Sequence, residues 1–403
     1  MYNDMQKQLE AHFDEMVEIR RYLHQYPELS FQEVETPAYI ADYHRKLGHD
    51  VKEGVGERGV TAVLKGGKPG PVVALRADFD ALPIHEETEL DFRSKRDGAM
   101  HACGHDGHTA ELLVLAKVLN KWQKQLAGTI VFIHQHAEEY APGGAQAMIA
   151  DGCLDGVDVI YGTHLWATLP LGTIDYSKHR LMAAADKFTI DVQGKGGHGA
   201  QPHLTKDAIL IGSQIVQSLQ HIVSRYVDPM ESAVVSVGHF ESKNAYNVIA
   251  DRAKIIGTAR SFDEGVRDIL EERIKGIAEG TGYHHGAEVS AVYERGYPAV
   301  INHEEQAEVI AETAELASQT KLVNECVPQM GGEDFAYYLQ EVKGAFFFTG
   351  AKNPDWETAY PHHHPKFDID ERAMLHAAEV LAGLVLYEFG QLYELYDEED
   401  ETA

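Results

Sequence analysis

Residues 100–108, MHACGHDGH, hold the densest set of chemically active side chains in the sequence. Cys103 and His105 stand two residues apart around a glycine, and thiolate and imidazole are both good ligands for zinc and other borderline divalent ions. In a chain with 23 histidines such a pair is only half a site, and a structural cysteine beside scattered imidazoles explains it as well. The other polar residues tip the balance. Asp78 and Asp80 follow the apolar run VVALR, Glu138 and Glu139 follow IVFIHQHA, and His164 follows DVIYGT. Each is expected just past the C-terminal end of a strand, where open α/β sheets bind their ligands. His362, His363 and His364, before Pro365, are placed to return to the same crevice. Adjacent acids at a tight turn can divide the work: one holds a metal while its neighbour takes a proton from a metal-activated water. That chemistry is hydrolysis.

These groups need a scaffold, and the hydrophobic pattern supplies one. Met5, Leu9, Phe13, Met16, Val17 and Leu23 recur at helical spacing and predict one amphipathic helix ending before Pro27. A second helix starts near Ser30 or Thr36 and stops at Gly48. Residues 59–64, 71–78, 129–135 and 157–164 read as strands, with helices at 108–119 and around Gln146 between them. This alternation predicts an α/β fold with a largely parallel central sheet and flanking helices. After Met182 the pattern changes to strand, helix (207–222), two strands, helix (265–278) and strand, the βαββαβ order of a ferredoxin-like unit. The first pattern resumes after about Gly296, with a helix from Glu304, the strand GAFFFTG and a helix over 370–389. The expected organisation is a discontinuous catalytic, metal-binding domain (1–184 and 297–403) with an inserted domain at 185–296. The closing acidic run, 397–401, reads as a frayed tail.

Composition narrows the function classes. The 403 residues carry 35 basic and 64 acidic side chains, a formal net charge of −29, which argues against nucleic acid or an anionic membrane as partner. No run approaches the roughly 20 apolar residues of a membrane-spanning helix. The opening MYNDMQKQLEAHF lacks the pattern of a secretory signal. Cys103, Cys153 and Cys326 are odd in number and widely spaced, no disulfide framework, so a reducing cytoplasm is the expected location.

Over most of its length the sequence resembles the metal-dependent amidohydrolases that include bacterial aminoacylases, hippurate hydrolase and the indoleacetyl-amino-acid hydrolases of plants. The resemblance is carried by RRYLHQYPELSFQE, LRADFDALPI, MHACGHDGHTA, the HAEE turn, THLW, GKGGHGAQPH, NVIADRAKIIGTAR, GGEDF and HHHPKFDID, in that order from Arg20 to Asp370. It implies two divalent ions per chain, zinc or manganese first and cobalt or nickel as alternatives. The implied ligands are Cys103 (bridging), His105, Glu139, His164 and His363, with Glu138 as general base and Asp78 and Asp80 orienting ligands. It further implies that the inserted domain serves as lid and dimerisation domain. His198 would stabilise an oxyanion, in its own or a partner's site, and Asn247 and Arg260 would hold the substrate's amide or carboxylate. The implied reaction is hydrolysis of an N-acyl-L-amino acid, or of a short peptide, by a homodimer or higher oligomer. The rivals are a metallo-carboxypeptidase or dipeptidase using the same centre, and a non-catalytic metal- or peptide-binding protein. Where related chains often have proline and alanine before the paired glutamates, this one has His136 and Ala137.

Overall fold

In the computed structural model, which describes residues 1–393, the N-terminal apolar pattern folds as two helices rather than one. α1 (Tyr2–Ala11) and α2 (Phe13–Gln25) meet at His12, whose φ of −106° and ψ of 11° leave the helical region while its N–H still reaches the Gln8 and Leu9 carbonyls. α3 (Glu35–Leu47) ends where Gly48 takes a left-handed φ of 85°, a conformation that costs glycine little. The acidic run 397–401 lies outside the described residues.

The chain divides into two compact units, one of Met1–Leu181, Ile301–Val327 and the chain from Asp334 onward, the other of Met182–Val300 and Pro328–Glu333. In the first, β1 (Asp50–Val55), β2 (Gly59–Lys65), β3 (Lys68–Asp78), β4 (Ala127–Gln135) and β5 (Val159–Pro170) join three later strands in an eight-stranded sheet. Its order is β1, β2, β4, β3, β5, Lys343–Lys352, Thr173–Tyr176, Leu322–Glu325. β4, β3, β5 and Lys343–Lys352 are parallel neighbours, as expected; β1 and β2 are added antiparallel at one side. Both faces of the parallel strands are covered, which explains their near-continuous apolar sequences. α4 (His105–Lys121) and the helix Arg372–Glu388 are buried along almost their whole length and pack in the same core as Leu75, Phe132, Tyr161 and Phe347. α5 (Ala145–Ala150) follows β4.

Two boundaries differ from expectation in ways that matter for the site. α4 begins at His105, three residues before the expected start, because Gly104 with φ 96° turns the chain into the helix one position earlier. β5 runs to Pro170, so His164 lies inside a strand and not beyond its end. Pairing of β3 with β5 stops at Arg76 and Gly162, so His164 stands beyond the last rung of that ladder, while Lys343–Lys352 continues to pair along its other side.

The second unit is an antiparallel four-stranded sheet ordered Ala233–Glu241, Arg252–Ser261, Ala184–Gln193, Glu288–Glu294. Alternate residues Phe188, Ile190 and Val192 face a core shared with helices Ala208–Leu219 and Glu264–His285, giving the βαββαβ arrangement. The first of these helices is shorter than the expected 207–222, giving way at Gln220 to His221–Arg225, and the second runs past 278 to the left-handed Gly286.

Candidate metal centre

The ends of β3 and β4, the start of α4, the middle of β5 and the loop before Phe367 place their polar residues together. Cys103 Sγ lies 3.3 Å from His164 Nε2. His105 Nε2 lies 3.8 Å from Glu139 Oε1 and 3.9 Å from Glu138 Oε2, and His363 Nε2 lies 3.2 Å from Glu139 Oε2. Cys103, His105 and His164 form one group of donor atoms within 4.8 Å of one another; Cys103, Glu139 and His363 form a second, and His105, Glu138 and Glu139 a third. Cys103 is thus common to two triads.

Backbone carbonyls set the tautomers of two rings. His105 Nδ1–H donates to the Asp80 carbonyl at 3.0 Å, and His164 Nδ1–H to the Leu165 carbonyl at 3.0 Å, which turns each Nε2 toward the cluster. His108 is different: its Nδ1–H donates to Asp78 Oδ1 at 2.6 Å and its Nε2 accepts the Leu165 N–H at 2.9 Å, so both nitrogens are committed to structure. Asp78 also accepts from Arg76 Nη1 at 2.6 Å. Of the three consecutive histidines, His362 donates to the Leu165 carbonyl at 3.1 Å and packs against Trp166, while His364 stacks on Tyr360. Only His363, with a left-handed φ of 65° and its N–H on the Ala102 carbonyl, faces Glu139.

The electrostatics fit a cation. Burial, then Glu139 and Glu138, push the Cys103 thiol well above its usual range. Burial opposes charge on His105, yet Asp78, Asp80 and Glu139 outweigh it and raise the imidazole to about 10. His105 Nε2 and Glu139 Oε1 are buried without a hydrogen-bond partner, a costly state for polar atoms that a shared ion relieves. Thiolate, imidazole and carboxylate donors suit zinc and its neighbours.

The second unit holds the other expected residues. His198, exposed on the short strand Gly197–His198, pairs with Val248 beside Asn247. Ala200 N–H donates to His198 Nδ1 at 3.1 Å, so Nε2 carries the hydrogen. Arg260 is not beside them. It lies opposite Ala185, whereas the His198 segment leaves the sheet at the end where Arg252 lies opposite Gln193, eight residues or roughly 26 Å away. Its guanidinium donates to Met330 O, Ala259 O and Thr258 Oγ1.

Several supporting residues carried no signal of their own. Arg20 is buried and pairs with Asp106, Asp368 and Glu371, tying α2 to the residue after His105 and to the segment after His363. His24 adds a 2.7 Å contact to the same Asp106 oxygen. Both lie in RRYLHQYPELSFQE, where a long polar motif in an amphipathic helix was the one available clue.

An α/β sheet that gathers thiolate, imidazole and paired carboxylates at the ends of its strands is the scaffold of a metallohydrolase. The sequence pattern of peptidase family M20/M25/M40 matches residues 74–387, and the chain belongs to that family. It is an enzyme, a metal-dependent amidohydrolase. YhaA of Bacillus subtilis (strain 168) is 60% identical over 386 residues, covering 96% of this chain and 98% of that protein. The N-acyl-L-amino acid amidohydrolase of Geobacillus stearothermophilus is 49% identical over 286 residues, covering 71% and 77%. The crystal structure of the Bacillus subtilis YXEP protein, described as a dinuclear metal-binding peptidase of the M20 family, superposes with a TM-score of 0.82 at 36% identity, covering 95% of this chain and 99% of that one.

Proposed function

We propose that this enzyme hydrolyses N-acyl-L-amino acids to a carboxylic acid and a free amino acid, with Glu138 as general base. The carrying observation is the pair of donor triads that share Cys103, which suits two ions held by Cys103, His105, Glu139, His164 and His363. The thiolate and imidazoles of this set favour zinc, and manganese is the alternative that the family resemblance implies. Bound divalent ions supply polarisation of the scissile carbonyl and acidify water. Glu138, beside His105 but outside the Cys103 triads, accepts the proton of the attacking water and returns it to the leaving amine. His198 offers its Nε2–H to the developing oxyanion, and Asn247 and Arg260 hold the substrate's amide and carboxylate. Because His198 and Asn247 lie at one end of the sheet and Arg260 at the other, one pocket using all three draws them from two copies of the chain. The second unit then serves as lid and dimerisation domain.

The named activity of the Geobacillus relative supports the acyl-amino-acid reading, and the description of the YXEP protein supports a peptidase as the rival. A panel of acetyl, benzoyl and longer acyl amino acids, matching dipeptides and carboxylate-amidated controls, scored by kcat/KM, separates them. Acyl amino acids should lead, and amidation should cost at least about tenfold, or about 1.4 kcal/mol. Faster hydrolysis of free dipeptides moves the assignment to the peptidase, and indifference to amidation removes Arg260 from its role.

A further inference from the structure

β4 ends at Gln135, and in the turn that follows, His136 to Glu139, Ala137 takes a left-handed φ of 52°. That conformation is unfavourable for a residue with a Cβ and persists only where neighbours over-determine it. Ala137 N–H donates to Glu33 Oε1 at 2.9 Å, and both residues are buried. Two residues on, Glu139 N–H donates to Asp80 Oδ2 at 3.0 Å, and Ser30 Oγ–H donates to the same oxygen at 2.7 Å. Ser30 and Glu33 belong to one segment before α3. Its Phe31 is itself left-handed, with φ 63°, and meets the His136 ring edge-on at 6.0 Å. The segment is anchored in turn: Arg58 Nη1 donates to the Glu33 carbonyl at 2.6 Å, and Leu29 bridges to Ala81. Both turn amides therefore end on carboxylates ordered by this segment. Glu33 Oε2 is buried without a hydrogen-bond partner, 4.0 Å from Arg58 Nε. Burial and Asp80 push this carboxyl up to about 7. Backbone amides, that of Ala137 among them, work against this shift, and the Ala137 bond is the one that reaches from this segment into the turn.

We propose that Glu33 is a positioning residue: by accepting the Ala137 N–H it holds the left-handed turn that presents Glu138 and Glu139. This rests on the roles proposed above for those two glutamates. The test compares Glu33→Gln, Glu33→Met and Glu33→Met/Ala137→Gly for Zn²⁺ affinity, kcat, KM and metal-free melting temperature. Gln keeps an acceptor oxygen and should hold zinc affinity and kcat within about threefold of wild type. Met keeps the volume but not the acceptor; it should lose about tenfold or more in both, with KM and the metal-free melt little changed. Glycine enters the left-handed region without a Cβ penalty, so the double variant should regain most of that loss. Gln as damaging as Met, Met within threefold of wild type, no recovery with glycine, or a Met variant that does not fold each overturns the proposal. Glu138→Gln run in parallel separates the two readings. Wild-type turnover there removes the general base, while the zinc affinities of the Glu33 series still judge the brace.

Discussion

Cys103, His105 and Glu139 are electrostatically unbalanced without a cation. The thiol is pushed up, the imidazole is held at about 10, and Glu139 keeps a buried oxygen without a hydrogen bond. Metal binding displaces protons from such a cluster, so affinity should tighten as pH rises. The paired glutamates then separate by experiment. Glu138→Gln should keep metal and fold but lose about a hundredfold to ten-thousandfold in kcat, the range of general-base catalysis. Glu139→Gln should first lower metal affinity in titration, and activity only as a consequence. The reverse pattern would exchange their roles. Residue type was legible in the sequence for Cys103 and His105, and residue type with strand-end position for the glutamates. Among His362, His363 and His364 the residue types are identical, so only the family resemblance singles out His363; the geometry that turns it toward Glu139, a left-handed φ with His362 packed on Trp166, is not written in the sequence. His108 and Glu33 stand in motifs that carry the resemblance, but their partners did not show, because each bonds to residues far along the chain.

At the scale of elements, α3 and β4 are joined by a row of histidines. His44 Nδ1 lies 2.9 Å from His49 Nδ1, and His44 Nε2 lies 2.9 Å from His134 Nε2. Burial lowers all three, His134 to about 3, so the row is neutral in the folded protein. The unfolded chain, with histidines near 6.5, binds more protons below that pH, and stability is lost as pH falls from about 6.5 toward about 3. Melting temperature of the metal-free protein should fall over this window, and His134→Gln should flatten the fall; an unchanged slope would remove the row as its cause. The strand and helix order was readable because the period of two and the period of 3.6 are strong signals. The break at His12 and the extension of β5 past His164 were not, since the first interrupts no apolar spacing and the second is set by pairing with Lys343–Lys352.

For the whole molecule, a net charge of −29 disfavours polyanionic partners, and among the described residues no helix is long and apolar enough to cross a membrane. Sharing of sites between copies has a direct test. Mixing inactive Glu138→Gln with inactive His198→Ala subunits should restore activity if the histidine serves the partner's site; no recovery means that it acts within its own chain. Amide hydrolysis by this chain depends on bound divalent ions. That dependence is tested most directly by following N-acyl-amino-acid turnover and metal content on one sample through chelation and reloading with zinc or manganese. Turnover should vanish with the ions and return as content approaches two per chain. Full turnover by the metal-free protein would contradict the account.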